Sequence, residues 1–444
     1  MKKFPNAFTI MLGVILLAWG LTFVVPKGAY ERQTHPTSGQ VTVVPDSYSE
    51  IQAEPLGVMD LVLAIPEGLV DRADLIVLIL LIGGCFYLIE KTGVLGQALQ
   101  RIVDLLQGRE ALAILAVSVL FAAAGATIGL QEEVIAMAPI LVLFSRSMGY
   151  DAKLAVAMSF GSAVLGAAFS PLNPFAVLLA QQEAGLALLS GMPFRLVVLA
   201  IALGVWVLYL VRYARRNPVA KIPMDASNGQ LSSRGMLILG LLAATFCLVT
   251  YGMLQWDWGF NHLSGCFFAL AIASGLIARM GLNQTGMTYA GGFREMIYAS
   301  VVIGMAGSIS LLLKKGMVID TIVYGLFAPM EALPTPLAAL GMLVGQSLLH
   351  LPVPSYSGQA ILTMPILTPL SDLAGMPRQV CVLAYQYGAV NMDMLVPTNG
   401  ALMAILSVCE IPYNQWLRFI WKPALLLFGI AALALIVALQ TGYS

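Results

Sequence analysis

Phe169-Ser170-Pro171-Leu172-Asn173-Pro174 interrupts one apolar run of this chain, and Val396-Pro397-Thr398-Asn399-Gly400 interrupts another. Proline withholds a backbone donor and frees a carbonyl, while Ser, Thr and Asn side chains compete for nearby backbone groups, so each stretch breaks a helix. One such break is an ordinary capped helix end. Two at matching places ask for another explanation. Sliding the sequence on itself by 226 residues (365 − 139) lays Pro139-Ile140-Leu141 on Pro365-Ile366-Leu367. The register then holds through Ser145/Ser371, Gly149/Gly375, Val156/Val382, Ala163-Val164/Ala389-Val390, Pro171/Pro397 and Asn173/Asn399. Upstream, an offset of 223 (307 − 84) sets Gly84, Leu88, Lys91 and Gly93 on Gly307, Leu311, Lys314 and Gly316. Similar hydropathy does not account for shared Pro, Gly and Asn, so the chain reads as a duplication.

Composition names the solvent both halves are built for. Of 444 residues, 59% are apolar and 10% charged, with a mean hydropathy of +0.86; a soluble domain carries about 25% charged residues. That excludes a soluble enzyme, a nucleic-acid binder, a disulfide scaffold and a disordered chain. It predicts an all-α polytopic membrane protein whose spans need about 20 apolar residues each. With 23 basic and 23 acidic residues, no field for polyanions arises. Spans are expected at 6–26, 73–90, 110–127, 152–170, 193–213, 235–255, 260–279, 292–313, 336–352, 378–396 and 415–439. Stretches 131–148, 174–190, 354–374 and 398–410 are too short or broken to cross alone, and 94–107 and 317–330 have the spacing of interfacial helices. The run from Ala7 to Val25 lacks a small-residue cleavage site and reads as a retained first helix. Trp256, Trp258, Trp416 and Trp421 sit at span ends, as interfacial anchors do.

Lys and Arg in short loops set the orientation. Residues 1–3, the 91–109 segment and above all 212–234, with Arg212, Arg215, Arg216, Lys221 and Arg234, read as cytoplasmic, which leaves the polar loop 27–56 outside. The 212–234 linker divides the chain into membrane repeat 1 (1–211) and membrane repeat 2 (235–444). Counting spans from it puts Lys314-Lys315 outside, whereas the equivalent Lys91 is inside. The halves are then inverted repeats, a hallmark of secondary transporters.

In such folds the binding site lies where helices break, because the exposed N–H and C=O ends hold ions without a full charge in lipid. Ser170, Asn173, Thr398 and Asn399 are therefore candidate ligands. A second pair of polar tips precedes two short arms, each the length of one limb of a re-entrant hairpin. Gly129-Leu130-Gln131-Glu132-Glu133 leads into 134–148, and Ser355-Tyr356-Ser357-Gly358-Gln359 into 360–374. Ser355, Ser357 and Gln359 join the substrate-binding candidates. Adjacent carboxylates inside an apolar run are costly unless partnered, so Glu132 and Glu133, with Asp393, are candidates for a cationic group or a coupling ion. The alternative for the two glutamates is the water interface. Near these breaks the cations close in sequence are Arg146, Lys153 and Arg378, all at span ends, which favours a cationic substrate or coupling cations over a dianion.

His35, His262 and His350 are too scattered to form a ligand set. Cys85, Cys247, Cys266, Cys381 and Cys409 have no CxxC or Cys/His spacing and read as small buried hydrophobes. No metal or cofactor is expected beyond a coupling Na+ or H+. HExxH, GxSxG and P-loop patterns are absent, which argues against an enzyme. Polar rings along several helices, which would favour a channel, are not apparent.

Phe4-Pro5-Asn6-Ala7-Phe8, Glu132-Glu133-Val134-Ile135-Ala136 and Asn173-Pro174-Phe175 resemble the YfcC-like family. So do Pro354-Ser355-Tyr356-Ser357-Gly358-Gln359-Ala360, Leu362-Thr363-Met364-Pro365-Ile366-Leu367 and Pro397-Thr398-Asn399-Gly400. That family belongs to the C4-dicarboxylate anaerobic carriers and basic amino-acid antiporters of the ion transporter superfamily. The resemblance runs from residue 4 to about 425. It implies a multi-pass carrier of the bacterial inner membrane, with two inverted repeats, each giving a re-entrant hairpin. It also implies a homodimer with a fixed scaffold and elevator-type transport domains, and substrate or ion ligands at Ser170, Asn173, Thr398 and Asn399. Two places depart from the family pattern: Gln386–Asp393, where a Gly/Asp-rich stretch is usual, and Tyr356, where a small residue is. Both lie where substrate should sit, so specificity is not carried over.

The expectation is a secondary active transporter of a small charged metabolite, partnered by the lipid bilayer and not by nucleic acid. A basic amino acid moved by antiport is the lead substrate class. Proton- or sodium-coupled C4-dicarboxylate uptake is the alternative, and a passive channel comes third.

Overall fold

The computed structural model describes residues 5–34, 41–44, 47–105, 109–221, 232–256 and 258–443. Residues 1–4, His35, linker residues 222–231 and the end of the expected 94–107 helix lie outside the described residues. Before the linker come α1 (Ala7–Val24), α2 (Val58–Asp71), α3 (Ala73–Lys91), α4 (Val94–Leu105), α5 (Glu110–Ile128), α6 (Glu133–Ser147), α7 (Ala152–Val156), α8 (Ser162–Ala168), α9 (Leu179–Glu183) and α10 (Met192–Arg216). After it come α11 (Ser233–Gln255), α12 (Phe260–Ile277), α13 (Leu282–Lys315), α14 (Ile319–Phe327), α15 (Thr335–Leu349), α16 (Tyr356–Leu373), α17 (Arg378–Asn391), α18 (Gly400–Val408) and α19 (Tyr413–Gln440).

Among the described residues, eight helices are long and apolar enough to cross a membrane: α1, α3, α5, α10, α11, α12, α13 and α19. Three expected spans come out differently. The 152–170 run is divided by the π-helical turn Ala157–Gly161, and 336–352 and 378–396 become helices of 15 and 14 residues. Every residue from Gln379 to Asn391 is buried, so α17 is apolar to suit protein, not lipid. The expected 292–313 span is instead 34 residues long. Its polar start, Asn283-Gln284-Thr285, lowers hydropathy without breaking the helix, which at about 1.5 Å per residue outreaches a core of about 30 Å.

Residues 58–71, unassigned by hydropathy, form α2 with Pro66 inside it. The polar 27–56 loop carries two small antiparallel sheets: β1 (Gly28–Ala29) pairs β4 (Ser49–Glu50), and β2 (Arg32–Thr34) pairs β3 (Val41–Val43). Asp320 of α14 pins that loop by accepting from Tyr30 N–H and the Arg32 guanidinium, each at 2.9 Å. Trp416 is no interfacial anchor: it is fully buried and its indole N–H donates to the Met394 carbonyl at 2.9 Å. Trp256 and Trp421 are exposed. Of the cysteines, Cys85, Cys381 and Cys409 are buried, but Cys247 on α11 is exposed.

The helices on the two sides of the linker keep one order. The offsets found in the sequence carry α3 to α10 onto α13 to α19, with α7 and α8 together matching α17. Packing is paired as well: α5 lies on α8 and α15 on α17, while α9 of the first half lies on α16, and α18 lies on α6. The α3 and α13 helices run antiparallel, with Gly83 against Met296, Tyr87 against Gly292 and Arg72 against Gly307. Small residues allow these approaches. A Cβ on Gly125 or Gly166 would lie 2.0 Å from the carbonyl oxygen of Ala163 or Ala122, and one on Gly388 would lie 2.4 Å from that of Leu343.

Candidate functional site

Both breaks are present. In the first half α8 ends at Ala168, residues 169–173 unwind, and the Asn173 side chain caps the π-helical turn Pro174–Leu178 by accepting from Phe175 N–H (3.0 Å) and Ala176 N–H (2.8 Å). In the second, α17 gives way to a 3-10 turn at Met392–Met394. Residues 395–399 unwind, and Asn399 caps α18 by accepting from Leu402 N–H at 2.8 Å. Asn suits both places because its short carbonyl reaches the unpaired donors of a first turn.

The two tips are put to different uses. Asn173 Nδ2 donates to the Gly125 carbonyl at 2.7 Å, and Ser170 Oγ donates to the Ala126 carbonyl at 2.6 Å while accepting from Leu172 and Asn173 N–H. Both side chains are fully buried. Contrary to the expectation for substrate ligands, the first tip spends its polar atoms on a strut to α5. Asn399 instead turns Nδ2 to Asp393 Oδ1, at 2.5 Å. Thr398 Oγ1 is buried and makes no hydrogen bond within the protein.

A cavity of about 400 Å³ opens beside the second tip. Glu132, Glu133, Ser355, Ser357, Asp393 and Asn399 meet there from separate stretches of the chain, with Gln131 and Tyr356 between them. Thr398 reaches a small adjoining space shared with Glu132 and Asn399. Ser170, Asn173 and Gln359 stay behind the wall. Gly129 ends α5 at φ +72, a left-handed conformation that glycine adopts freely, and its missing side chain lets Asn173 Nδ2 and the Tyr356 hydroxyl approach to 3.3 Å of where a Cβ would be.

The cavity is acidic. Among the described residues, Asp71, Asp74, Glu132, Glu133 and Asp393 line it against one cation, Arg72. Gln131 Nε2, Glu133 Oε2 and Asp393 Oδ2 are buried and make no hydrogen bond within the protein. Buried polar atoms are nearly always partnered, so three unpartnered ones converging on one space set this cavity apart from the rest of the core.

Two residues correct the reading of the sequence. Arg72, at the junction of α2 and α3, enters the cavity from 60 positions before Glu132 (132 − 72), so the local count of cations misses it. Nothing in Asp71-Arg72-Ala73-Asp74 distinguishes it from a solvated loop. His350, set aside as scattered, is fully buried at the end of α15, with Nε2 2.8 Å from Asp393 Oδ1 and Nδ1 2.9 Å from Gln359 Oε1. A signal was available: Gln346, Ser347 and His350 are polar residues inside an apolar span. Arg72 also lines a second cavity of about 560 Å³ under the 27–56 loop, with Arg32, Lys314, Asp71 and Asp320.

Broken helices around a buried polar cavity, within eight apolar spans, define a multi-pass secondary transporter of the bacterial inner membrane. The chain belongs to the C4-dicarboxylate anaerobic carrier family, DcuC, whose family model matches residues 4–440. It is 30% identical to an uncharacterized protein of Haemophilus influenzae, across 99% of this chain and 98% of that one. It is also 30% identical to YfcC of Escherichia coli strain K12, whose name proposes a basic amino acid antiporter, across 99% of this chain and 97% of that one. Among solved structures, the YdaH transporter of Alcanivorax borkumensis aligns over 99% of both chains with a TM-score of 0.47 and 17% identity.

Proposed function

We propose that this protein exchanges basic amino acids of the arginine and ornithine type across the inner membrane by alternating access. The observation that carries this reading is the charge balance of the cavity, five carboxylates around one guanidinium. A basic amino acid is the complement: two cationic groups and one carboxylate. Arg72, with the hydroxyls of Ser355 and Ser357, takes the α-carboxylate as a charge-assisted partner. Glu132, Glu133 and Asp393 take the cationic groups, and Thr398 and Asn399 complete the shell. Ser170, Asn173 and Gln359 act by holding the helix ends that frame the site.

In this reading the chain is two inverted repeats, 1–211 and 235–444, on either side of the cytoplasmic linker 212–234. The matched helix order and the antiparallel α3 and α13 support it. The α6 and α16 arms are the inner limbs of the re-entrant hairpins, and the transport domains move as elevators within a homodimer, as the family resemblance implies.

The second reading, ion-coupled C4-dicarboxylate transport, is favoured by one observation: Arg32, Arg72 and Lys314 gather at the cavity under the 27–56 loop. Thermal unfolding of the detergent-purified protein separates the two, because a solute bound by the folded state raises its melting temperature. Arginine is expected to raise it and succinate to leave it unchanged; the reverse result moves the site to the dicarboxylate.

A further inference from the structure

We propose that His350 and Asp393 form a proton-binding site that couples transport to the proton gradient. This rests on reading the acidic cavity as the substrate site. The hydrogen bonds around His350 run in one direction. Thr363 Oγ1 donates to the Gln359 carbonyl at 2.8 Å, so it accepts from Gln346 Nε2, also at 2.8 Å. Gln346 therefore turns its side-chain oxygen towards Gln359, whose Nε2 donates to that oxygen and to the Gln346 main-chain carbonyl at 2.8 Å. Gln359 Oε1 is left facing His350 Nδ1 at 2.9 Å. An amide oxygen only accepts, so Nδ1 carries a hydrogen.

The other ring nitrogen, Nε2, lies 2.8 Å from Asp393 Oδ1. A neutral ring with its hydrogen on Nδ1 has a lone pair on Nε2, and a lone pair facing a bare carboxylate oxygen at that distance is repulsive. One proton therefore occupies the contact, on either the ring or the carboxyl. Asn399 has no freedom to supply it otherwise, since its Oδ1 is held by Leu402 N–H and its Nδ2 donates to the same Asp393 oxygen.

The pair is sealed on one side and open on the other. His350 is fully buried, whereas Asp393 lines the substrate cavity, and its Oδ2 makes no hydrogen bond within the protein. Tyr356, Tyr385 and Glu132 are close enough to feel the charge of Asp393, and Glu133 and Arg72 line the same cavity. On the remaining elements packed against α15, Tyr387 of α17 lies on Phe169, Asp320 of α14 is engaged by Arg32, and Tyr413 of α19 donates to the Leu395 carbonyl. A nitrogen against Oδ1 suits a proton and not a hard metal cation, which takes oxygen ligands.

Release is a simple proton transfer. The N–H bond at Nε2 breaks, its electron pair stays on the ring, and the proton passes by way of the Asp393 carboxyl to water in the cavity. His350 remains neutral and bonded to Gln359, and Asp393 is left an unneutralised anion. The cavity gains one negative charge when it loses the proton, so a cationic solute and the proton compete for one carboxylate. Mutual exclusion of that kind is what an exchange mechanism requires.

Nitrogen NMR of the wild-type protein, isotope-labelled at its three histidines, tests the tautomer directly. The signals of His350, assigned by their loss in His350→Gln, are expected to show Nδ1 protonated at neutral pH. A neutral ring with the hydrogen on Nε2 and the lone pair on Nδ1 overturns the proposal. A pH-sensitive dye sealed in proteoliposomes then follows protons as labelled arginine enters vesicles that hold no ornithine. Protons are expected to leave with arginine entry in the wild type, and the protons moved per arginine to fall away in His350→Gln. Arginine entry that moves no protons overturns the proposal and leaves the substrate reading standing. No arginine entry into these vesicles or into ornithine-loaded ones overturns the substrate reading instead.

Discussion

The Gln386 side-chain amide of α17 donates to the Ser170 carbonyl at 2.9 Å and to that of Ala167 at 3.1 Å, so a residue after the linker closes the broken helix end before it. Its oxygen accepts from Arg195, a fully buried cation on α10 that Gln379 also holds, at 3.2 Å. The first break is thereby a joint between the halves. Gln386→Leu keeps the volume and removes the three bonds that Gln386 makes, leaving Arg195 to Gln379 and the Ser170 carbonyl without its side-chain donor. Losing a hydrogen bond to a charged group costs roughly 1.5–3 kcal/mol. A lower melting temperature in detergent is the expected outcome, and an unchanged one removes the joint.

Helix contact is as sensitive. A side chain on Gly166 would be driven into the Ala122 carbonyl, whereas one on Gly204 meets nothing within 4 Å. Gly166→Leu forces α5 and α8 apart at a cost of about 3 kcal/mol or more. It is expected to lose the monodisperse size-exclusion peak that Gly204→Leu retains. Equal behaviour of the two variants would show that α5 and α8 do not depend on this approach.

Among the described residues, Arg72 is the one guanidinium of the acidic cavity. Arg72→Gln keeps a donor and removes the charge, so the α-carboxylate loses about 1.5–3 kcal/mol of binding, or about 10- to 100-fold in affinity. Uptake kinetics are expected to show this as a higher KM for arginine. A normal KM would place the carboxylate elsewhere.

Glu133 has one carboxylate oxygen, Oε2, without a partner in the protein. Glu133→Gln preserves shape and abolishes the charge, so arginine transport is expected to fall or to change its dependence on pH and sodium. If rate and both dependences match the wild type, Glu133 is a structural residue.

The sequence discloses the parts of this site that local chemistry dictates. Pro171, Asn173, Pro397 and Asn399 break and cap helices wherever they stand, so both unwound segments are legible without a structure. The use each tip is put to depends on distant partners. Shifting Asp393 back by 226 positions gives Ala167, so the first Asn has no carboxylate to hold and bonds a Gly125 carbonyl instead. Arg72 reaches the cavity, and His350 reaches Asp393 behind it, only through the packing of α2, α3 and α15, which no spacing encodes. Hydropathy likewise mistakes α17 for a lipid-facing span, because it records apolar character and not what the residues face.

Counterflow in proteoliposomes tests the central claim, that the cavity serves basic amino acids by exchange. Labelled arginine and labelled succinate are presented in parallel to vesicles loaded with unlabelled ornithine and to vesicles loaded with buffer. Arginine entry that accelerates when ornithine can leave, with succinate excluded, is the predicted result. Succinate entry with arginine excluded would contradict it and give the site to a dicarboxylate held by Arg72 and the helix ends.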